Sequence, residues 1–472
     1  MTGAPVIRFG LAAMLSLVLS APGQGADPQG VGPVQFLMMS DLHFDPMADP
    51  KLVDQLSSAE PWGWPAIFDT SGDRPLARYG ADSNWSLLHS ALEHAKQVLP
   101  KPAFIVVPGD FLAHNFRQRF DVGAADHSSA AYREFVRKMM QFVALQFEQT
   151  FPDTPILPAL GNDDAVCGNY QLQPGGPFLI DTLPIVRTLV GSPWSPGSDR
   201  NWTNYGNYSV MVRGLRIIFP NSVFFSARYR NTCGSPDAAD PGTATLAWLE
   251  TELVAASQAH ERVWLVYHIP PGIDGFTTLR TGSCPDAIVP IWRQTYAAPF
   301  GALMRRYSDT IVASFAGHTH VDDFRLLDDD SGYYGFVLIT PPLSPIYGQN
   351  PAIRTVVSDG AGGLLDQTTY KLANLQEAED GRAAPAWRAE YTFTQEWQLP
   401  RIDLASLTHL YAMVADVLED RARWHMFYPV SSPVYWSASW GEASSQAIRA
   451  FHCATGHVLL QSFRQCYCGD AK

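Results

Sequence analysis

Residues 34–43 read VQFLMMSDLH, a mostly apolar run that ends in a polar Asp-Leu-His segment. The apolar part, residues 34–39, is typical of a buried β-strand. Asp41 and His43 follow it two positions apart, so both side chains can point into one site once the strand has ended. The stretch therefore predicts a strand whose carboxyl end delivers two potential metal ligands.

Four more apolar runs end in the same way, at residues 103–107, 156–160, 263–267 and 310–315. The polar residues that follow them are Asp110, Asn162, His268, His318 and His320. Segments with apolar residues at helical spacing separate the runs, at residues 85–99, 132–147 and 243–256. Strands that alternate with helices predict an α/β fold. Because sites in such folds gather at the carboxyl ends of strands, we expect the five endings to converge on one edge.

The polar residues form a chemically coherent set of carboxylate, amide and imidazole groups, namely Asp41, His43, Asp110, Asn162, His268, His318 and His320. This set suits two zinc ions, with Mn or Fe as alternatives, rather than calcium. Asp110 could bridge both ions through its two oxygens. Two metals about 3.5–4 Å apart lower the pKa of a bridging water, and the resulting hydroxide can attack phosphorus in line. The set therefore predicts a phosphoester hydrolase with two metal ions.

In their order along the chain, these motifs resemble the calcineurin-like metallophosphoesterase family. Four longer motifs resemble acid sphingomyelinase and its phosphodiesterase-like relatives. They are HIPPG at residues 268–272, GHTHVDDF at 317–324, PLSP at 342–345 with QNP at 349–351, and YTFTQEWQLP at 391–400. The resemblance covers the chain from about residue 34 to the C-terminal cysteines. It implies a four-layer α/β/β/α sandwich with phosphodiesterase activity.

The resemblance also implies a role for each ligand. Asp110 would be shared between the two metals. The first metal would be held by Asp41, His43, Asp110 and His320. The second would be held by Asp110, Asn162, His268 and His318.

Two further residues are implied as catalytic, His114 and Asp163. His114 lies four residues after Asp110, where the family places a histidine near the leaving group, so we expect it to act as general acid. Asp163 stands where the family commonly has a histidine. A carboxylate could replace that histidine as an acid only if burial or negative charge raised its pKa, whereas two nearby cations would lower it. We therefore expect Asp163 to orient His114.

Two comparisons narrow the expected activity. Ala113 stands where purple acid phosphatases carry a tyrosine, which argues against a tyrosine-ligated ferric site. Only 40 residues precede Asp41, so we expect no saposin-like domain of the acid sphingomyelinase kind. A soluble phosphodiester or nucleotide is then favoured over a membrane lipid, although a lipid head group stays among the expected substrates. The alternatives are a polyphosphatase or phosphomonoesterase on the same scaffold, and a non-catalytic binding protein.

The net charge of −13 argues against binding of a nucleic-acid polymer.

Residues 1–26 are typical of a signal peptide, with Arg8 before an apolar stretch at 9–21. A short membrane anchor is the alternative interpretation of this segment. No later stretch is long and apolar enough to span a bilayer. We expect a secreted protein, extracellular or periplasmic, and a monomer.

Six cysteines fit export, because an oxidising compartment favours disulfides. Cys453 with Cys466 is the first predicted pair and Cys233 with Cys284 the second. A zinc knuckle formed by Cys466 and Cys468 is the competing interpretation of the C-terminal cysteines.

The chain divides in sequence into a catalytic domain at residues 27–385 and a small helical, cysteine-containing region at 386–472, with a helix at 404–418. Further strands are predicted at residues 215–219, 334–340, 353–358 and 367–372. Three aspartates at 328–330 are expected to form a solvated turn. Glycosylation sequons begin at Asn84, Asn201 and Asn207.

Overall fold

The computed structural model describes residues 1–3, 32–70, 75–234, 240–281, 284, 286, 288–436 and 445–469. Its strands are β1 (Val34–Met38), β2 (Ile105–Val107), β3 (Ile156–Pro158), β4 (Tyr208–Val212), β5 (Leu215–Phe219), β6 (Arg262–Val266), β7 (Ile311–Ala316), β8 (Asp323–Asp329), β9 (Gly332–Ile339), β10 (Ala352–Ser358), β11 (Leu364–Leu372) and β12 (Trp387–Thr392). Within the described residues they form two sheets of six strands each.

The first sheet has the order β12-β11-β10-β1-β2-β3 and the second the order β4-β5-β6-β7-β9-β8. In the first sheet β1, β2 and β3 are parallel, and β10, β11 and β12 extend it with antiparallel pairs. In the second sheet β5, β6, β7 and β9 are parallel, with β4 and β8 as antiparallel edges. The strands predicted to carry ligands are therefore parallel neighbours within each sheet.

Aromatic side chains join the two sheets face to face. Phe36 on β1 lies 5.1 Å from Trp264 on β6 and 6.1 Å from Phe315 on β7, measured between ring centroids. All three rings are fully buried. Trp264 also donates a hydrogen bond from Nε1 to the carbonyl of Gly362, 2.7 Å away. These contacts bury large apolar areas, which is the main stabilising term in such a core.

Helices cover the outer faces of both sheets. The helices are α1 (Val53–Ser58), α2 (Trp64–Thr70), α3 (Trp85–Val98), α4 (Phe116–Gly123), α5 (Ser129–Thr150), α6 (Pro177–Val190), α7 (Ser198–Tyr205), α8 (Pro241–Gln258), α9 (Gly275–Thr281), α10 (Gln294–Arg306), α11 (Leu375–Glu379), α12 (Phe393–Trp397), α13 (Leu404–Asp416), α14 (Leu418–Phe427), α15 (Ser445–Gly456) and α16 (Leu460–Cys468). Helix α3 packs on β10 of the first sheet, and α8 packs on β5 and β6 of the second. The predicted α/β/β/α layering is confirmed.

The first sheet continues beyond residue 385, because β12 pairs with β11. The helix predicted at residues 404–418 is confirmed as α13 but ends at Asp416, because Val417 adopts an extended conformation before α14 begins. The remaining described C-terminal segment is helical, as expected. The domain boundary at 385/386 stays a prediction.

Asp328 contradicts the predicted solvated turn. It belongs to β8, is buried, and accepts hydrogen bonds from His457 Nδ1 and from the backbone N–H of Val458, both at 3.0 Å. It also accepts a 2.5 Å hydrogen bond from Ser462 Oγ. The run of aspartates suggested a solvated turn, but these donors from the C-terminal region stabilise a buried carboxylate.

Three disulfides are formed. Cys453–Cys466, which links α15 to α16, is confirmed. The predicted Cys233–Cys284 pair is wrong, because Cys233 bonds Cys167 and Cys284 bonds Cys468. The zinc knuckle is also wrong, because both of its cysteines are in disulfides. The two missed pairs span 66 and 184 residues, so only the tertiary fold brings them together.

The side chains of two of the three sequon asparagines make hydrogen bonds within the fold. Asn84 caps α3 by accepting from Leu87 N–H, and Asn207 is buried against Thr245. Asn201 lies half-buried on α7.

The predicted signal segment lies mostly outside the described residues. In the part of the chain that the structure describes, no helix combines the length and apolar character needed to cross a membrane.

Candidate metal centre

The loops after β1, β2, β3, β6 and β7 meet at one edge of the two sheets. They bring together all seven residues predicted as ligands. His268 Nε2 lies 2.9 Å from Asp110 Oδ2 and 3.1 Å from Asn162 Oδ1. His43 Nε2 lies 3.4 Å from the same Asp110 oxygen. Asp110 is therefore the point at which ligands from both sheets meet.

Three groups of potential ligand atoms lie in the cluster, and two of them share Asp110; the third consists of His43, His114 and His320. Asp41, His43 and Asp110 form one group, and Asp110, His268 and His318 form the other. Within each group the potential ligand atoms lie within 4.8 Å of one another. His320 extends the first group, because its Nε2 is 3.3 Å from Asp41 Oδ1. A shared carboxylate between two groups is the arrangement expected for two cations.

The spacing of the donor atoms also fits metal ions. His43 Nε2 and His320 Nε2 are 3.1 Å apart, and His43 Nε2 is 3.4 Å from Asp110 Oδ2. Ligands held about 2.0–2.1 Å from a tetrahedral zinc lie about 3.3–3.4 Å from each other. The donor set and its spacing therefore suit two divalent metal ions.

Unusual backbone conformations hold the ligands in place. Five of the seven have φ in the left-handed region, between 38° and 72°: Asp41, His43, Asp110, His318 and His320. Such values are uncommon for residues other than glycine and concentrate at functional sites. Two glycines permit the close approach, since a Cβ at Gly161 would collide with Asp110 and one at Gly317 with Asp41.

Main-chain carbonyls orient two of the imidazole rings. His43 donates from Nδ1 to the carbonyl of Leu112 at 2.9 Å, and His268 donates from Nδ1 to the carbonyl of Pro108 at 3.0 Å. Each ring consequently presents Nε2 to the cluster. This is the usual way in which a neighbouring group fixes the tautomer of a metal-binding histidine.

Burial keeps three of the histidines neutral. It lowers the pKa of His43 to about 4 and that of His318 to about 3, and it also lowers the pKa of His320. The positive charges of His114 and His268 lower these pKa values further. At neutral pH the three rings therefore have lone pairs available for metal ions.

His268 and Asp110 behave as a coupled pair in the metal-free chain. Burial lowers the pKa of His268, but the charge and hydrogen bond of Asp110 outweigh it and raise the pKa to about 9. The same contact holds the pKa of Asp110 low despite burial. A proton on His268 thus supplies the positive charge that a metal ion would supply.

Asp164 was missed by the sequence analysis. It is fully buried and accepts hydrogen bonds from Asp110 N–H at 3.0 Å, Phe111 N–H at 2.8 Å and Gly161 N–H at 2.8 Å. It therefore ties the loop after β2 to the loop after β3. In the sequence it reads as one more polar residue of a loop.

His114 lies beside the first group, with its ring stacked on that of His43 at 4.1 Å. Asp82, another residue that was missed, orients it. Its Oδ1 accepts from His114 Nδ1 and its Oδ2 from His114 N–H, both at 2.9 Å. Nε2 is left facing the Tyr347 hydroxyl at 3.0 Å. Asp163 Oδ2 is 4.0 Å from Nε2, so the orienting hydrogen bond comes from Asp82 rather than Asp163.

The charges around His114 favour its protonated form. Burial lowers its pKa, but the hydrogen bond to Asp82 and the charges of Asp163 and Asp82 raise it to about 9. Burial and the negative charge of Asp110 raise the pKa of Asp163 in the metal-free chain. His114 can therefore hold a proton at neutral pH next to the cluster.

A cavity of about 1210 Å³ opens over the cluster. His114, Asn162 and His318 line its floor, and Tyr170 and Tyr347 are among the residues of its walls. Its volume is sufficient for a small organic phosphate.

No family model matches the chain. The human acid sphingomyelinase-like phosphodiesterase 3b is 26% identical over 464 residues, which cover 92% of this chain and 90% of the relative. The mouse cyclic GMP-AMP phosphodiesterase SMPDL3A is 28% identical over 430 residues, 86% of each chain. Sphingomyelinase phosphodiesterase D of Dictyostelium discoideum is 27% identical over 340 residues, 68% of this chain and 67% of the relative.

Among solved structures, a dimetal phosphatase from Danio rerio overlaps 72% of this chain and 96% of its own, with 13% identity and a TM-score of 0.40. That TM-score is too low to support an inference, so the sequence relatives and the geometry carry the assignment. Together they confirm the predicted resemblance to the acid sphingomyelinase-like phosphodiesterases among the calcineurin-like metallophosphoesterases, and they identify the chain as a metal-dependent phosphoric ester hydrolase.

Proposed function

We propose that the protein is a secreted phosphodiesterase with two metal ions, which hydrolyses a small phosphodiester or nucleotide. The observation that supports this proposal most strongly is that two groups of buried potential ligands share Asp110 under an open cavity. Zinc suits the donor set best, with Mn or Fe as alternatives. The three disulfides support an oxidising compartment, extracellular or periplasmic. A monomeric state and the absence of a nucleic-acid partner stay predictions.

The proposed ligand sets follow the two groups. The first metal would be held by Asp41, His43, Asp110 and His320. The second would be held by Asp110, Asn162, His268 and His318. Bound there, divalent metal ions would lower the pKa of a water molecule and stabilise negative charge on phosphoryl oxygens.

Residues of the chain orient the metal-binding imidazole rings and supply a proton to the leaving oxygen. The carbonyls of Leu112 and Pro108 fix the rings of His43 and His268, so little reorganisation accompanies the reaction. His114 presents Nε2 to the cavity, where it can protonate the leaving oxygen as the P–O bond breaks. The Tyr347 hydroxyl, now 3.0 Å from Nε2, would give way to that oxygen. Asp163 supports the charge of the protonated ring from 4.0 Å.

The names of the relatives indicate which phosphodiesters this protein could hydrolyse. The human relative is named an acid sphingomyelinase-like phosphodiesterase, and SMPDL3A is named a cyclic GMP-AMP phosphodiesterase. A diester with a nucleotide or head-group substituent fits the cavity volume. We favour a soluble diester, with a lipid head group as the alternative source of the same chemistry.

Turnover of bis-p-nitrophenyl phosphate, p-nitrophenyl phosphate and polyphosphate, with elemental analysis of the same sample, tests the proposal. We expect two equivalents of metal and faster turnover of the diester. Asp110→Asn should abolish activity and metal loading, because both ligand groups use this carboxylate. Asp309→Asn, at an exposed aspartate, is the matched control. Much faster turnover of the monoester or of polyphosphate would replace the proposal with the alternative activity.

A further inference from the structure

Tyr170 and Arg228 form one wall of the cavity beside the second ligand group. The Tyr170 hydroxyl lies 3.3 Å from His318 Nε2, and the Tyr170 N–H donates to the carbonyl of Asn162 at 2.8 Å. The Arg228 guanidinium lies over the Tyr170 ring, 5.9 Å from its centroid. Tyr170 has a φ of 58°, which is rare for a bulky residue. The wall is thus placed next to the proposed reaction centre by an unusual backbone conformation.

A covalent link holds this wall together. Tyr170 lies three residues after Cys167, and Cys167 is bonded to Cys233, five residues after Arg228. The Arg230 N–H donates to the carbonyl of Tyr170 at 3.0 Å and joins the same two segments. Because both segments are fixed to each other, the position of Arg228 relative to His318 is set by the fold.

The guanidinium of Arg228 makes its hydrogen bonds to the described residues through Nη2. Nη2 donates to Asp274 Oδ2 at 3.1 Å and to Thr277 Oγ1 at 3.0 Å. No residue in the described part of the chain accepts a hydrogen bond from its Nε or Nη1. The side chain is 54% exposed and lines the cavity. Arg230 and Arg280 also line the cavity, as does Asp274, which holds Nη2 of Arg228.

A guanidinium with free N–H groups binds phosphate or carboxylate oxygens well. It repels a quaternary ammonium group, which proteins instead bind in aromatic cages. We infer that Arg228 selects substrates that carry a second anionic group beside the scissile phosphodiester, and that it disfavours choline-type head groups. This inference rests on the proposed phosphodiesterase activity.

Three chromogenic esters test the inference, since each releases p-nitrophenol from a phosphodiester. They are thymidine 5′-monophosphate p-nitrophenyl ester, the same ester with an added 3′-phosphate, and p-nitrophenyl phosphorylcholine. For the metal-loaded wild type we expect kcat/KM to be about tenfold higher with the 3′-phosphate than without it, the effect of one charge-assisted contact. The choline ester should have the lowest value.

The ratio of kcat/KM between esters is compared within each variant, so partial misfolding cancels. Arg228→Ala should erase the advantage of the 3′-phosphate, Arg228→Lys should keep part of it, and Arg388→Ala, at an exposed position on β12, should keep all of it. An advantage that is absent in the wild type, or that persists in Arg228→Ala, overturns the inference alone. If the wild type hydrolyses none of the three esters, the proposed function fails, and the inference fails with it.

Discussion

The Asp82 carboxylate decides which nitrogen of His114 faces the cavity, because both of its oxygens bond this residue. Arg119 holds Asp82 in turn, with Nη2 at 3.4 Å from Oδ2. Its Nε donates to the His114 carbonyl at 2.9 Å, and its Nη1 donates to Asp45 Oδ2 at 2.8 Å. The ring is therefore held in one orientation. Its use as an acid depends on this carboxylate as well as on the ring itself.

Asp82→Asn is expected to lower kcat by about 10–100-fold for diesters with alkoxide leaving groups, the usual effect of removing an orienting carboxylate. Diesters with p-nitrophenolate leaving groups need less proton donation, so their kcat should fall less. Steady-state kinetics over a series of leaving groups measures the difference. His114→Ala should show the same dependence more strongly, with unchanged metal content. A uniform fall across the series would contradict the positioning role of Asp82.

At the scale of elements, strand β8 connects the second sheet to the C-terminal helices. Asp328 near its end accepts from the N–H of Val458 and from Ser462 Oγ, at either side of the start of α16. A carboxylate at this end of a helix interacts favourably with the helix dipole. The strand thus fixes the start of a helix more than a hundred residues away in the chain.

Asp328→Ala is expected to lower the free energy of unfolding by about 1–3 kcal/mol, because several donors lose their acceptor. Urea denaturation followed by tryptophan fluorescence measures the change. Asp330→Ala is the control, since Asp330 is exposed in the turn after β8 and should have little effect. Equal stability of the two variants would show that the contacts of Asp328 contribute nothing.

The strands that carry ligands could be predicted because an apolar run followed by a polar residue is visible in the sequence. Strand β8 could not, because its buried polar residues, including the Asp323–Arg325 ion pair, interrupt the apolar pattern. Asp82 does not follow an apolar run, and only tertiary contacts bring it to His114. The ligands are thus encoded locally, whereas the residues that orient them depend on the whole fold.

At the scale of the whole molecule, the metal centre joins the two sheets. Asp41 and Asp110 follow strands of the first sheet, and His268 and His318 follow strands of the second. Without metal ions the cluster buries several carboxylates together. Burial and the charge of Asp110 raise the pKa of Asp164 to about 7, and burial raises that of Asp41 to about 6. Bound cations would instead stabilise the ionised forms.

The metal-free and metal-loaded proteins should therefore respond to pH in opposite directions. A carboxyl whose pKa is raised on folding stabilises the fold at low pH, and that contribution is lost as pH rises through its folded pKa, here about 6 for Asp41 and about 7 for Asp164. The metal-free protein should lose Tm between about pH 4 and 7 from this effect. Metal ions compete with protons for the ligands, so their affinity rises over the same range and continues to rise toward the pKa of His268, about 9.

The difference in Tm between loaded and chelator-treated protein is thus expected to grow from pH 5 to about pH 8. A metal concentration about 100-fold above Kd would add about 2.7 kcal/mol, which is several degrees in Tm for a chain of this size. Differential scanning calorimetry of both forms across this range measures the effect. Asp110→Asn is the matched control, because it removes the shared ligand and should make the two curves coincide. A difference that stays constant with pH would mean that these carboxylates and His268 do not release protons when metal binds.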